Sequence, residues 1–271
     1  MITQEQLVKL QQSELSILVD FDKFCQQNSL TYYLIGGALL GAKRYGKFIP
    51  WDDDVDVAMP REDYEKLQTL WLNSEQNDYF LQSEKTDKNF SRCILKLRKN
   101  GTQITEYTTQ NVEMHQGIYI DIFPIDYVEE YDEKELDARA KKIRKLMTLR
   151  TIKSGYKSKR FSFVKKLINL FTCIISLESI DKKIESLCTK DNDKQRNYAV
   201  LFVHNYEWRK QIHKVAVFGA GARIDFCGHK INAPEDTDAF LRKVFGDEYM
   251  KEPETKKQPH NYVSVVFGED K

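Results

Sequence analysis

Apolar residues near the N-terminus recur at helical spacing. Leu7, Leu10, Leu18, Phe21 and Phe24 fall on one face, behind a Thr3–Gln6 capping box, and predict an amphipathic helix over roughly residues 4–27. The pattern then shortens. A β-rich run, Thr31 to Ile35, meets Gly36-Gly37, and residues 38–44 read as a short helix before Gly46 and Pro50 turn the chain. Val55 to Met59 reads as a strand with Asp54 at its mouth. Pro60 and the acids of Arg61-Glu62-Asp63 open a helix to about Leu72. Further strands are predicted at Tyr79–Gln82, Cys93–Arg98, Gln103–Glu106 and Ile118–Phe123, the last stopped by Pro124. This alternation predicts an α/β (α+β) fold, a mixed sheet flanked by helices, over residues 1–130.

Beyond that core the periodicity becomes helical. Residues 131–190 have almost no Gly or Pro, and residues 141–177 carry eleven Lys or Arg with no Asp or Glu. A helical basic insert over 131–200 is expected. One reading is a solvated helical element packed on the core. A second is a membrane-surface element, with Phe161, Phe163, Leu167, Leu170 and Phe171 dipping into an anionic interface. Residues 201–271 are expected to complete the catalytic site, with two short strands, a helix from about Asp236 to Phe245, and a loop marked by Pro253 and Pro259.

Composition narrows the function classes. The 271 residues are 41% hydrophobic and 31% charged, with a net charge of +1, so no global field points to nucleic acid. Five scattered cysteines without CxxC spacing argue against a disulfide framework or a zinc site. No apolar h-region opens the chain and no run is long enough to span a bilayer, so a cytoplasmic protein is expected.

The chemistry concentrates in Pro50-Trp51-Asp52-Asp53-Asp54-Val55-Asp56-Val57. Two carboxylates about 4 Å apart repel by about 4 kcal/mol at an effective dielectric near 20. This acidic run enters an apolar strand, so a compensating cation is expected. Strand alternation points Asp54 and Asp56 one way and Val55 and Val57 into the core. Asp52 shares their parity, and Asp53 is expected to point away. A third carboxylate is expected from Asp121, isolated in the apolar run Gly117–Phe123. Such a set suits Mg²⁺ or Mn²⁺, which favour oxygen ligands and keep positions open for phosphate. Gly36-Gly37, between strand and helix, would let phosphate approach backbone N–H groups.

These residues resemble a known family. Tyr33-Leu34-Ile35-Gly36-Gly37-Ala38-Leu39-Leu40-Gly41, Arg44 and Ile49-Pro50-Trp51-Asp52-Asp53-Asp54-Val55-Asp56 are similar to the signature of the LicD family. That family includes bacterial phosphocholine transferases and is related to fukutin-type enzymes. The resemblance continues through Gln116–Asp126 and reappears at Phe245–Met250, Pro253 and His260. It implies a nucleotidyltransferase-like fold and phosphocholine transfer from CDP-choline to a hydroxyl of a glycan precursor, releasing CMP. Some relatives transfer ribitol or glycerol phosphate instead.

On this reading Asp54, Asp56 and Asp121 hold the metal and Asp121 takes the acceptor's proton. Arg44, Lys47, Lys96 and Arg98 are candidate phosphate clamps, Lys96 and Arg98 sharing one strand face. His260 is either a contact to the leaving phosphate or a surface histidine. Trp51, Tyr32, Tyr107, Tyr206 and Trp208 are candidate faces for a quaternary ammonium. The implied partners are a CDP-alcohol, a glycan acceptor (lipid-linked or not) and, through residues 141–177, a peripheral membrane contact; nucleic acid is not among them. Two competing readings are a nucleotidyltransferase releasing pyrophosphate and a non-catalytic nucleotide-binding scaffold.

Overall fold

Helix α1, Gln4–Gln27, begins as its sequence dictates: the Thr3 side chain accepts from the Gln6 N–H while the Gln6 side chain accepts from the Thr3 N–H. Its buried residues include Leu10, Ile17, Leu18 and Phe21, and also two acids, Glu14 and Asp22. The computed structural model describes residues 2–156, 174–254 and 260–268.

The centre is a mixed sheet of seven strands. Its main path runs β1 (Tyr33–Ile35), β2 (Asp56–Pro60), β6 (Tyr119–Val128), β4 (Leu95–Lys99) and β3 (Tyr79–Gln82). β7 (Tyr198–Val200) continues from the far end of β6, and β8 (Ile212–Lys214) pairs with β7. Only the β2–β6 pairing is parallel; the other pairings of this sheet are antiparallel. Helix α1 packs on β4 and β6, helix α2 (Gly36–Tyr45) on β1 and β2, and helix α3 (Arg61–Leu72) on β2, β3 and β6. Val57, Ile120 and Ile122 are among the sheet residues buried in the core, and Val55, just before β2, is buried with them.

Several elements differ from expectation. β6 does not stop at Pro124 but runs through it to Val128. The Asp121 N–H donates toward β2, to Val55 O at 2.9 Å, so by alternation the missing N–H of Pro124 faces the opposite edge. There β4 covers residues 119–122 and β7 covers 126–128, so Pro124 falls in the gap between two partners. β2 begins at Asp56, one residue later than expected, leaving Asp54 in the preceding loop. β5 (Gln103–Glu106) leaves the main sheet to pair with β11 (Tyr262–Val266), a strand the tail's pattern did not announce.

The insert contains α4 (Glu133–Lys153, capped by Asp132) and α5 (Leu177–Cys188), packed on each other. Two of its described cations are buried in ion pairs, Arg150 against Asp181 and Arg139 against Glu135 and Asp191, while Arg144, at the surface, donates to the carbonyls of His204 and Tyr206. Phe161, Phe163, Leu167, Leu170 and Phe171, and most of the basic run's second half, lie outside the described residues, as do Pro259 and Cys173. A short helix α6 (Val215–Phe218), the hairpin β9–β10 (Ala222–Phe226, His229–Ala233) and α7 (Thr237–Phe245) complete the chain. Among the described residues no helix is long and apolar enough to cross a membrane, and four cysteines are free.

Candidate active site

Register brings the acids together. Asp56 on β2 is the direct partner of Asp121 on β6, and Asp121 is in turn the partner of Lys96 on β4. Three charged residues thus stand abreast across adjacent strands. They line a cavity of about 820 Å³, shared with Gly37, Trp51, Asp52 and Asp54.

The glycine turn is occupied by carboxylates rather than standing open. Gly36 has φ +60°, and a Cβ there would meet Asp56 Oδ2 at 2.9 Å; a Cβ on Gly37 would meet Asp52 Oδ2 at 2.0 Å. The missing side chains let Asp52 and Asp56 press against the start of α2, next to its N-terminal N–H groups.

The electrostatics are strained on one side. Burial, then the nearby Asp54, Asp121 and Asp52 carboxylates, drives the Asp56 carboxyl well above the usual range, against a smaller opposing pull from Lys96. Lys96 Nζ is 2.6 Å from Asp121 Oδ1. That contact is ionic only: among the described residues the buried Oδ1 has no hydrogen-bond partner. The same ammonium lies 3.2 Å from the centre of the Tyr119 ring, and the Arg98 guanidinium shares that ring at 4.7 Å.

The donor set fits a hard divalent cation, which would remove the repulsion that raises Asp56. The expected ligands are Asp54, Asp56 and Asp121. Among the described residues, however, the group whose ligand atoms all lie within 4.8 Å of one another is Asp53, Asp54 and His260. Asp54 belongs to both arrangements. Asp53 is buried, not turned to solvent: it accepts from the His260 N–H at 2.5 Å, and His260 Nδ1 lies 3.1 Å from its other oxygen. His260 is thus tied to the acidic loop, and its hydrogen bond to Asp53 raises the imidazole's pKa.

The other candidates divide. Arg44 lines the cavity but spends its guanidinium on the Tyr249 and Lys251 carbonyls, pinning the C-terminal segment beside the acids. Arg98 lies outside the cavity lining and donates to the Gln82 side chain and the Gly117 carbonyl. Lys47 is exposed and is likewise absent from the lining. Of the candidate aromatics, Trp51 and Tyr206 line the cavity; Tyr32 is buried beneath α1 and bonded to Asp22, and Tyr107 and Trp208 lie off the lining.

Three site residues had no reading from sequence. Arg92 lines the cavity just before β4 and shares the parity of Lys96 and Arg98, the one signal that pointed to it. His204 places Nε2 4.0 Å from Asp56 Oδ2, with its ring 4.6 Å from Phe123 and 4.9 Å from Tyr206. Burial lowers its pKa to about 4, so the ring is neutral at pH 7. Glu14 is buried behind the acidic loop, and its carboxyl is raised by burial first and then by Asp54, Asp53 and Asp52. Its place on the Leu10–Ile17–Leu18 face of α1 was the available clue.

A profile of the LicD/FKTN/FKRP nucleotidyltransferase domain matches residues 29–148, the segment holding the glycine turn, the acids and Lys96. Residues 29–148 belong to the LicD family. The whole chain is 27% identical over 251 residues to lipopolysaccharide cholinephosphotransferase LicD of Haemophilus influenzae, spanning 91% of this chain and 92% of that protein. It is 51% identical over 39 residues to ribitol 5-phosphate transferase FKRP of Homo sapiens, 14% of this chain and 8% of that one. With mannosyltransferase regulator 4 of Saccharomyces cerevisiae it shares 28% identity over 137 residues, 45% of this chain and 11% of the yeast protein. The first two of these LicD-domain relatives are, by name, transferases of a phospho-alcohol.

Proposed function

We propose that this protein transfers phosphocholine from CDP-choline to a hydroxyl of a glycan precursor, releasing CMP. The observation that carries the reading is the Asp56–Asp121–Lys96 row, set in one cavity with an aromatic wall. Full-length similarity to a cholinephosphotransferase supports it.

Asp54, Asp56 and Asp121 would hold Mg²⁺ or Mn²⁺, with Asp53 and His260 as neighbouring donors. Such an ion supplies charge neutralisation at the diphosphate and polarises the bond to the leaving group. The chain's own residues do the rest. Arg92 and Lys96 face the non-bridging phosphate oxygens from the β4 side. The acceptor oxygen attacks the phosphorus of phosphocholine, the P–O bond to CMP breaks with its electron pair leaving on CMP, and Asp121 takes the hydroxyl proton. Phe123, Tyr206 and Phe245 sit near Asp56, with Tyr206 and Phe245 6.3 Å apart edge to face. Aromatic faces beside acids suit a quaternary ammonium better than a polyol. A cytoplasmic reaction, on a soluble or membrane-borne acceptor, is part of the same proposal.

The test is a donor panel of CDP-choline, CDP-glycerol and CDP-ribitol with Mg²⁺, read as released CMP. CDP-choline is the expected best donor. Preference for a polyol donor would replace choline in this reading, and release of pyrophosphate from a nucleoside triphosphate would replace the reaction class.

A further inference from the structure

A second cavity of about 430 Å³ lies between α3, the β3–β4 connection and α5. It abuts the catalytic cavity: Cys93 and Val203 line both, while their neighbours Arg92 and His204 face the catalytic side. The partition is therefore one residue thick on each of two chain segments. The cavity mixes side-chain hydrogen-bonding groups, Gln68 and Thr69, with apolar faces from Leu72, Leu81 and Ile184; the Thr86 hydroxyl, also on the lining, is committed to Leu81 O and Ser83 N–H. That mixture matches a sugar ring, which presents hydroxyls around its edge and C–H groups on its faces.

The charges narrow the ligand further. Arg61 is committed to Asp126, at 2.8 and 2.7 Å, and Asp181 to Arg150. What remains along the lining is Glu65, Glu84 and Glu185 against Lys85. Three acids facing one base disfavour an anionic ligand. Burial also raises the Glu84 carboxyl, which moves it toward a hydrogen-bond donor.

We infer that this second cavity holds an uncharged sugar unit of the acceptor, next to the unit whose hydroxyl is modified in the catalytic cavity. The inference rests on the glycan-directed reading of the first cavity and adds where the acceptor is gripped. It also assigns the insert helix α5 a part in acceptor choice. Gln68 and Glu65, one turn apart on the outer face of α3, are the positions from which the site is reached.

The experiment is ligand-observed saturation-transfer NMR on the full chain with galactose, N-acetylglucosamine and glucose 6-phosphate, alongside CDP-choline with Mg²⁺ as a separate ligand. The wild type is expected to give signals for a neutral sugar and none for the sugar phosphate. Gln68→Trp, and independently Glu65→Trp, should fill the cavity and reduce the sugar signal at least fivefold. CDP-choline binding and the melting temperature should stay unchanged. Gln68→Asn should keep the sugar signal. Sugar binding that survives both Trp variants, equal binding of glucose 6-phosphate, or no sugar binding by a wild type that binds CDP-choline would overturn the inference. A wild type that binds sugar but not CDP-choline would instead count against the donor reading alone.

Discussion

Asp56 and Asp121 are cross-strand partners in the parallel pairing of β2 with β6, so their carboxylates are held abreast at the sheet spacing of about 4.8 Å. With Asp54 and Asp52 adding to the field, the apo site opposes its own ionisation. A chain assembled for stability alone would not place these charges together. Asp56→Asn should therefore raise the melting temperature of the metal-free protein by a few degrees, equivalent to about 1 kcal/mol for a chain of this size. It should also reduce transfer about a thousandfold or more. Calorimetry beside a CMP-release assay checks both; a destabilised Asp56→Asn would show that the carboxylate serves the fold.

The glycine turn predicts a sharp steric effect. A Cβ on Gly37 would stand 2.0 Å from Asp52 Oδ2, so Gly37→Ala must displace that carboxylate from its place against α2. Gly36→Ala adds the strain of φ +60° to a 2.9 Å contact with Asp56. Each is expected to cost about 1–3 kcal/mol of stability and to reduce transfer by more than the stability loss explains. Denaturant titration and steady-state kinetics on both variants separate the two effects.

His260 and Arg44 act on the tail. Asp53 accepts from the His260 N–H, and Arg44 reaches the Tyr249 and Lys251 carbonyls, so Tyr249, residues 251–254 and His260 are held along one side of the cavity. Arg44→Ala removes both anchoring contacts. It should raise the donor KM about tenfold and expose residues near 251 to proteolysis, whereas Lys47→Ala, at an exposed position off the lining, should change neither. Limited proteolysis with and without donor reads the difference.

Acid should weaken the fold through His213. Its ring stacks on Phe240 at 4.5 Å, and burial lowers its pKa to about 3. The folded pKa is depressed, so the unfolded chain binds the proton first. Stability from this residue is intact above about pH 6.5 and is lost as pH falls toward 3, by about 1.4 kcal/mol per pH unit. His213→Phe, which keeps the stacking, should flatten the decline in melting temperature between pH 6 and 4. An unchanged slope would mean that other groups set the acid limit.

How much of this was legible beforehand follows from separation along the chain. The capping box, the apolar stripe of α1 and the alternation around Val55 and Val57 are local patterns, and they form as written. The adjacency of Asp56 and Asp121 was readable as two apolar strands each carrying a misplaced acid, but their register was not. Residues supplied from a distance left little trace. His204 enters from the loop after β7, where the sequence offered Tyr206 as an aromatic candidate but gave the histidine itself no reading. β11 is a short tail strand whose partner, β5, lies far upstream, and no periodicity in five residues announces such a pairing. Lys96 and Arg98 share a face as alternation requires, yet Arg98 is absorbed by Gln82 and Gly117 while Lys96 reaches the acids. Parity selected the face and could not decide which end of it meets the cavity.

The central claim is that the row of carboxylates holds a divalent ion that the reaction needs. The most direct measurement is Mn²⁺ binding by electron paramagnetic resonance in the presence of CDP-choline, comparing the wild type with Asp56→Asn and Asp121→Asn, alongside CMP release with and without EDTA. The account predicts bound Mn²⁺ in the wild type, its loss in both variants, and no transfer in EDTA. Equal Mn²⁺ binding in all three proteins, or full transfer in EDTA, would contradict it.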